Sequence, residues 1–182
     1  MSVAEQTAQL IPVGTWKSDP VHSTVAFAVK HQIVATFRGK FSDFEATLVG
    51  GEEPKLTGVV KVASIVVEDE NLYGHLLTPD FFDAERFPEL RFESTSIDRD
   101  GDTFVADAEL TVKGVTKPVT VKGTFAGPIT DPWGGERLGL SLETTIDRTA
   151  YGIEWNTPLP GGGFAVSNDV ALLAELELVK EQ

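Results

Sequence analysis

The chain contains no cysteine among its 182 residues. Disulfide bonds, thiolate nucleophiles and cysteine-ligated metal sites are therefore excluded, although this absence says little about the compartment. Histidine is also scarce, with only His22, His31 and His75. No two of them have the i, i+4 spacing or the HExxH context of a zinc site, so the sequence predicts no metal site.

Signatures of covalent and phosphate chemistry are missing as well. There is no GxSxG nucleophile elbow. His22 precedes Ser23, but neighbouring residues on a strand point to opposite faces, which argues against a working pair. The glycine tract PGGGF at 160–164 leads toward a strand rather than a helix, so we interpret it as a flexible loop. The sequence therefore predicts no catalytic residue and no enzyme.

Positive charge is in short supply, because 15 lysines and arginines face 28 acidic residues and give a net charge of −13. Such a charge repels nucleic acid and anionic membrane surfaces, so we expect neither as a partner. The hydrophobic fraction of 41% is ordinary for a globular protein, and the length suits one domain with a sizeable core.

Long apolar runs are absent too. No stretch approaches the length that crosses a bilayer, so no transmembrane segment is predicted. The first residues, MSVAEQTAQLIPVG, lack the basic start and the continuous apolar core of a secretory signal. We predict a flexible N-terminal arm over 1–14, a single domain over 15–182 and a cytoplasmic location.

What the sequence does contain is alternation of apolar and polar residues with a period of two. In DTFVADAELTVK, Phe104, Ala106, Ala108 and Leu110 share one face while acidic residues and threonine occupy the other. One dry and one wet face per strand is typical of antiparallel sheets, and no long helix intervenes to make parallel crossovers. The strands are predicted near 14–19, 23–30, 35–49, 56–67, 89–98, 102–113, 118–130, 136–148 and 167–180.

Short turns such as KGVTKP at 113–118 join these strands locally. The pattern predicts an all-β fold, an up-and-down antiparallel barrel or sandwich of about eight strands, with a helical segment around 68–88 and a short turn or helix at 149–155. A barrel of this size either fills its interior with side chains or holds one small ligand, and the small residues on the dry faces fit both alternatives. Arg148, beside Asp147 and Tyr151, either steadies a corner through an ion pair or meets a ligand's polar head.

Five segments in series carry a family resemblance. They are DPVHSTVAFAVKH (19–31), FRGKFSDF (37–44), HLLTPDFFDAERFPELRFEST (75–95), AELTVKGVTKPVTV (108–121) and IDRTAYGIEWN (146–156). In this order and spacing they resemble the YceI-like family, also called polyisoprenoid-binding proteins, over about 19–178. The chain departs from the family's frequent pattern at Leu72-Tyr73, Leu77 and Leu140.

The resemblance implies a lipocalin-like barrel whose apolar interior holds a polyisoprenoid, an isoprenoid quinone or another long lipid. The segment 75–87 would then lie near the mouth, with one of Phe81 and Phe82 inward and the other outward, and with Asp80 and Asp83 capping turns. His22, His31, His75 and Arg148 would be head-group contacts or structural polar residues. The expected lipid contacts are Phe27, Val29, Phe37, Phe41, Val60, Leu76, Phe81, Phe82, Phe92, Leu110, Val121, Leu140 and Leu142.

We therefore expect a non-enzymatic carrier or store for a long-chain lipid, with no cofactor other than a bound lipid. Two alternatives stay open at this point: an enzyme that acts on a bound lipid through a histidine acid or base, and an empty barrel that serves as a protein-interaction module. A long lumen favours the carrier over the interaction module, and a buried histidine beside a second polar group in that lumen favours the enzyme. The sequence does not decide between a monomer and a homodimer.

Overall fold

A computed structural model of the chain describes residues 10–182. These residues form eleven β-strands, one α-helix and two short 3-10 helices at Val62–Ser64 and Arg148–Tyr151. The strands and the helix, in chain order, are β1 (Ile11–Ser18), β2 (Thr24–His31), β3 (Ala35–Phe41), β4 (Phe44–Gly51), β5 (Lys55–Lys61), β6 (Ile65–Val66), α1 (Glu70–Leu77), β7 (Glu89–Asp100), β8 (Thr103–Val112), β9 (Val115–Thr130), β10 (Glu136–Asp147) and β11 (Val166–Lys180).

The strands form one closed antiparallel barrel. β11 pairs with β2 along its first half and with β1 at its end, so β1 and β2 together form one broken strand beside β11. β3 and β4 pair with β2 and β1 in the same way, and β6 and β5 pair with β3 and β4. If β1 with β2, β3 with β4, and β5 with β6 are each counted as one broken strand, these three and β7 to β11 form an eight-stranded up-and-down meander. The meander closes between β11 and β1. The predicted all-β barrel is confirmed.

Two predicted strands, 35–49 and 56–67, are each broken in the structure. Ser42 and Asp43 separate β3 from β4, and the first 3-10 helix separates β5 from β6. The breaks face each other, since the Ser42 amide donates to the Ser64 carbonyl and the Asp43 amide donates to the Ser64 hydroxyl. Side-chain and turn hydrogen bonds thus replace ladder bonds at this level of the barrel.

The helical segment predicted around 68–88 is shorter than expected. Asp69 caps the helix by accepting a hydrogen bond from the Leu72 amide at 2.8 Å. The helix ends at Leu77, because Pro79 restricts the residue before it to extended backbone. Turns occupy most of 78–87, and within the described residues no helix has the length and apolarity that a bilayer crossing requires.

The two ends of the barrel differ. Trp16, Phe104, Leu140 and Leu178 are almost fully buried and pack the end at which β1 begins. At the other end α1 and the segment 78–88 lie across the barrel and pack less completely. Most of the arm predicted over 1–14 lies outside the described residues. Its predicted boundary is corrected, since Ile11 is buried and already belongs to β1, where it pairs with Gly51 of β4.

Candidate functional site

A cavity of about 460 Å³ lies at the helix end of the barrel. Its walls come from β2, β3, β8, β11, α1 and the segment after α1, and the side chains are mostly aliphatic or aromatic. Alternation along each strand produces this wall, because every second side chain of a barrel strand points inward. The volume falls within the range of about 300–1,000 Å³ that is typical of small-molecule sites.

A second cavity of about 160 Å³ lies deeper in the barrel. It shares Phe41, Leu90, Leu110 and Leu172 with the first cavity, so the two are neighbours along the barrel axis. On β11 the lining residues run from Val166 to Leu176. Ten residues span about 33 Å of strand, or about 25 Å along the axis at a strand tilt of about 40°. The apolar interior is therefore elongated, which fits the long lipid that the family resemblance implies.

The structure brings most of the predicted lipid contacts together. Leu140 is the exception, because it lies in the packed closed end and lines neither cavity. The others line the mouth cavity (Phe27, Val29, Phe37, Leu76, Phe81 and Phe82), the inner cavity (Val60, Phe92, Val121 and Leu142) or both (Phe41 and Leu110).

Phe81 and Phe82 both line the mouth cavity, so the expectation that one of them points outward is wrong. They follow α1 in a turn rather than a strand, and side chains in a turn need not alternate. Phe82 packs edge-on against Phe27 and Phe41, with ring centroids 6.4 and 6.2 Å apart. Phe81 instead packs against His75 and Trp155, at 4.9 and 5.4 Å. The Phe82 ring therefore belongs to the inner wall and the Phe81 ring to the mouth.

Phe82 is therefore expected to contribute more to stability than Phe81. A fully buried phenylalanine loses about 3–5 kcal/mol on replacement by alanine, and Phe82 is half-buried, so Phe82→Ala should lower the free energy of unfolding by about 2–3 kcal/mol. Denaturant titration of Phe82→Ala and Phe81→Ala measures both losses. A larger loss for Phe81→Ala would contradict the assignment of the two rings.

His75 has a structural role at the mouth. Its Nε2 lies 3.0 Å from the Asp80 carboxylate, and its ring packs edge-on against Phe81 and Trp155. Asp80 was expected to cap a turn, but its carboxylate instead holds the His75 ring. Asp83 is buried, with positive φ, and its amide donates to the Thr78 carbonyl, which closes the turn that carries both phenylalanines. Its carbonyl accepts from the Arg86 and Phe87 amides in the next turn.

His22 lies outside the barrel and away from the cavities. Its Nδ1 is 2.8 Å from Asp19, and Glu177 completes a cluster that could offer three ligands to a metal. Arg137 occupies this cluster, since it donates to Asp19 at 2.9 Å, to Glu177 at 3.0 Å and to Asp131 at 2.9 Å. A cation would have to compete with that guanidinium, so the arrangement is an ion-pair network that ties β10 to the β1–β2 turn.

This network predicts an acid-sensitive part of the stability. The hydrogen bond from His22, together with Arg137, lowers the pKa of Asp19 to about 2. A lowered folded-state pKa stabilises the protein above the unfolded value near 4, and this stability is lost as the pH falls from about 4 to about 2. In Asp19→Asn, the denaturation midpoint should decline less steeply over that interval than in the unchanged protein. Equal slopes would show that Asp19 does not contribute.

Arg148 is buried, and its contacts are structural. Its guanidinium donates to the carbonyls of Ser167 and Val166 on β11 and to those of Ile153 and Trp155 in the preceding loop, at 2.8–3.2 Å. Burial lowers its pKa. The predicted ion pair with Asp147 is absent, because the Asp147 carboxylate accepts instead from the Thr149 amide and hydroxyl. Arg148 therefore fixes the loop 152–165 beside the mouth through backbone carbonyls.

Two of the predicted polar residues line the mouth cavity: His31, which is exposed, and Arg148, which is buried. Within residues 10–182, no histidine lies inside the barrel beside a second polar group that could serve as its catalytic partner. The prediction missed several wall residues, including Leu90, Val112, Ile153 and Leu172. The alternation of β7, β8 and β11 carries the signal for three of them, whereas Ile153 follows a 3-10 helix and has no periodic signal.

Comparisons with known proteins agree with this architecture. A family model described as the YceI-like domain matches residues 16–178. A Pseudomonas putida protein named UPF0312 protein is 34% identical over 166 residues, which cover 88% of this chain and 83% of that protein. The crystal structure of Burkholderia cenocepacia BcnA matches with a TM-score of 0.75 at 23% identity, over 90% of this chain and 99% of that one.

A polyisoprenoid binding domain from Saccharophagus degradans has a TM-score of 0.70 at 11% identity, over 93% of this chain and all of that one. At such low identity the two solved structures establish a shared fold.

Proposed function

The chain belongs to the YceI-like domain family, and from this premise we propose that its barrel holds the chain of a polyisoprenoid, an isoprenoid quinone or a similar long lipid without transforming it. The observation that carries the proposal is the apolar mouth cavity of about 460 Å³ and its extension toward the centre of the barrel. The shared fold with a polyisoprenoid binding domain supports the same ligand class.

The driving force for such binding is burial of hydrocarbon. Each methylene transferred from water contributes about 0.8 kcal/mol, so a chain of several isoprene units gains ample free energy on entering a preformed apolar cavity. The cost of ordering the protein is small, because the rings of the inner wall are already packed. Gly39 lies directly under the Phe27 ring, where a β-carbon would come within 2.5 Å of it, so the glycine allows this ring to pack close to β3.

An apolar cavity of this kind selects for chain rather than for head group. One methylene more or less changes affinity only modestly, so several related lipids should bind. The polar residues at the mouth are few, and Arg148 already donates four of its five N–H groups to backbone carbonyls. The function proposed is therefore that of a carrier or store with a broad preference for long apolar chains.

The barrel interior also bears on the two alternatives. An enzyme would need an acid or base beside the bound chain, and the mouth offers His31 without a paired polar group among the described residues. An interaction module would not need an elongated apolar interior.

The test is a titration of delipidated protein with a polyprenol, in which the intrinsic tryptophan fluorescence is measured at each addition. Trp155 lies at the mouth against Phe81, whereas Trp16 is sealed in the closed end and Trp133 is exposed on a hairpin. We expect a saturable change in emission at one lipid per chain, together with a rise in the melting temperature. Trp155→Phe is the control, since it should lose the emission change and keep the thermal shift. No saturation and no thermal shift would contradict the proposal.

A further inference from the structure

Three exposed apolar side chains stand together at the cavity mouth. Ile33 and Val34 form the tip of the β2–β3 hairpin and are 63% and 85% exposed, and Phe164 is 60% exposed in the loop before β11. The two segments adjoin, because the Gln32 amide donates to the Ala165 carbonyl at 2.6 Å and the Ile33 side chain lies against Gly163. We call Ile33, Val34 and Phe164 the apolar rim.

The backbone of the tip is unusual. Gln32 and Ile33 both have positive φ, at 50° and 68°. The loop between β2 and β3 has three residues, 32–34, and a position of positive φ in such a loop is normally taken by glycine or asparagine, because a β-branched residue is strained there. Folding alone would favour glycine at position 33. The chain instead places a large apolar side chain in a strained backbone and exposes it to solvent.

The net charge of the β2–β3 hairpin is opposite to that of the whole protein. Residues 23–42, which contain both strands of the hairpin, include Lys30, Arg38 and Lys40 and no acidic residue, in a chain whose net charge is −13. All three cations are exposed on the hairpin. Among residues 10–182, none of the three takes part in an ion pair. The hairpin is thus a basic surface with an apolar tip.

We propose that the apolar rim inserts into a lipid bilayer with anionic headgroups, and that Lys30 and Arg38 bind those headgroups while the cavity mouth faces the membrane. The proposal rests on the lipid-carrier function, since it gives a long lipid a short path between bilayer and barrel. His31, Ala35 and Thr36, which flank the tip, line the cavity mouth itself. The rim therefore borders the opening through which a lipid would pass.

The physical chemistry of the contact favours weak, reversible docking. The net charge of the protein repels an anionic surface as a whole, but the screening length in physiological salt is about 8 Å, so the charges nearest the bilayer dominate. Arg38 lies four residues from Val34, about 13 Å along the strand, and its long side chain shortens the gap to the headgroups. Three small apolar groups anchor far less strongly than a spanning helix.

Vesicle flotation tests the proposal with vesicles of phosphatidylcholine alone or mixed with phosphatidylglycerol. The unchanged protein should float with the mixed vesicles and not with phosphatidylcholine alone. Each basic residue near an anionic surface changes partition about fivefold, so Lys30→Gln/Arg38→Gln should lose about thirtyfold. Lys17→Gln/Lys122→Gln, which removes two exposed lysines away from the mouth, should float like the unchanged protein.

The tip variant Ile33→Gly/Val34→Ser removes the apolar rim without endangering the fold, because glycine suits the positive φ at position 33. It should fail to float and should keep its melting temperature. It should also take up a polyprenol from detergent micelles as the unchanged protein does, while extracting the same lipid from vesicles much more slowly.

The outcomes separate the docking proposal from the carrier function. If the tip variant floats and extracts lipid like the unchanged protein, docking by the rim is wrong and the carrier function stands. If the unchanged protein binds no lipid from micelles, the carrier function fails, and flotation still decides whether the rim docks. If the rim joins two copies of the chain, sedimentation will show a dimer that Ile33→Gly/Val34→Ser dissociates, and the docking proposal is overturned.

Discussion

Replacing Leu172 with aspartate should empty the barrel of lipid while the chain still folds. Leu172 lines both cavities and lies opposite Phe27 on β2 and Thr144 on β10, so its side chain stands where the two cavities meet. A carboxylate at this place would either be buried unpaired against the lipid or draw water into the cavity. Either outcome makes the free energy of lipid binding less favourable. We expect retained lipid to fall below detection, with a loss of about 2 kcal/mol in stability because Leu172 is half-buried.

The matched control is Leu173→Asp, the same change one residue further along the strand. Leu173 borders the inner cavity on β11, but strand alternation turns its side chain to the outer face, and it belongs to none of the core clusters. It lies opposite Glu143, so the new carboxylate adds a repulsion of less than about 1 kcal/mol. Lipid extraction and mass spectrometry of both purified variants measure the difference. If Leu172→Asp keeps as much lipid as Leu173→Asp, the lipid does not occupy the barrel interior.

The second large effect is expected at Arg148. Arg148→Met removes a buried guanidinium that donates to four backbone carbonyls and leaves at least the Ile153 carbonyl without a partner in a buried place. Hydrogen bonds to a charged group contribute about 1.5–3 kcal/mol each and are not additive, so we expect a loss of about 3–5 kcal/mol in the free energy of unfolding. Hydrogen exchange should be accelerated first in the loop 152–165 that Arg148 holds.

Arg148→Lys distinguishes this structural role from a head-group contact. A lysine keeps the charge but lacks the planar fork that reaches carbonyls on two sides. The structure predicts that Arg148→Lys is nearly as unstable as Arg148→Met. If Arg148→Lys restores stability, the carbonyl network is not what Arg148 provides. If both variants are stable and bind lipid poorly, the residue contacts the head group.

The part of the fold that the sequence predicts well is the part that depends on alternation. β8 and β10 contain long runs of inward apolar residues with outward charges, and they lie close to where their pattern places them. The two breaks between β3 and β4 and between β5 and β6 are not visible in that pattern. They depend on hydrogen bonds between Ser64 and residues 42–43, which are 21 and 22 positions away in the chain. Such long-range pairing has no local signal.

The candidate site is predictable to the same extent. Inward strand positions such as Phe27 and Leu110 follow from alternation, whereas Phe81 and Phe82 do not, because a turn places their side chains. Leu140 has the correct phase but lies in the packed closed end, since the pattern gives the face of a strand and not the depth along the barrel. The role of Arg148 depends on carbonyls of a loop that folds back beside it, which composition and spacing do not reveal.

The net charge of the chain and the local charge of the β2–β3 hairpin have opposite signs. A net charge of −13 describes the chain at long range, and it predicts repulsion from any anionic surface. The fold gathers three cations on one hairpin that contains no acidic residue. At distances shorter than the screening length we expect this hairpin, rather than the total charge, to determine which surface the mouth approaches.

Native mass spectrometry of the protein purified without detergent, followed by extraction and identification of any bound molecule, shows whether the barrel holds a lipid. We expect a major species heavier than the polypeptide by one lipid per chain, an extract containing a long isoprenoid or similar apolar chain, and loss of that species in Leu172→Asp but not in Leu173→Asp. A polypeptide that has the mass of the bare chain, and that takes up no polyprenol when one is added, would contradict the assignment of the barrel as a lipid site.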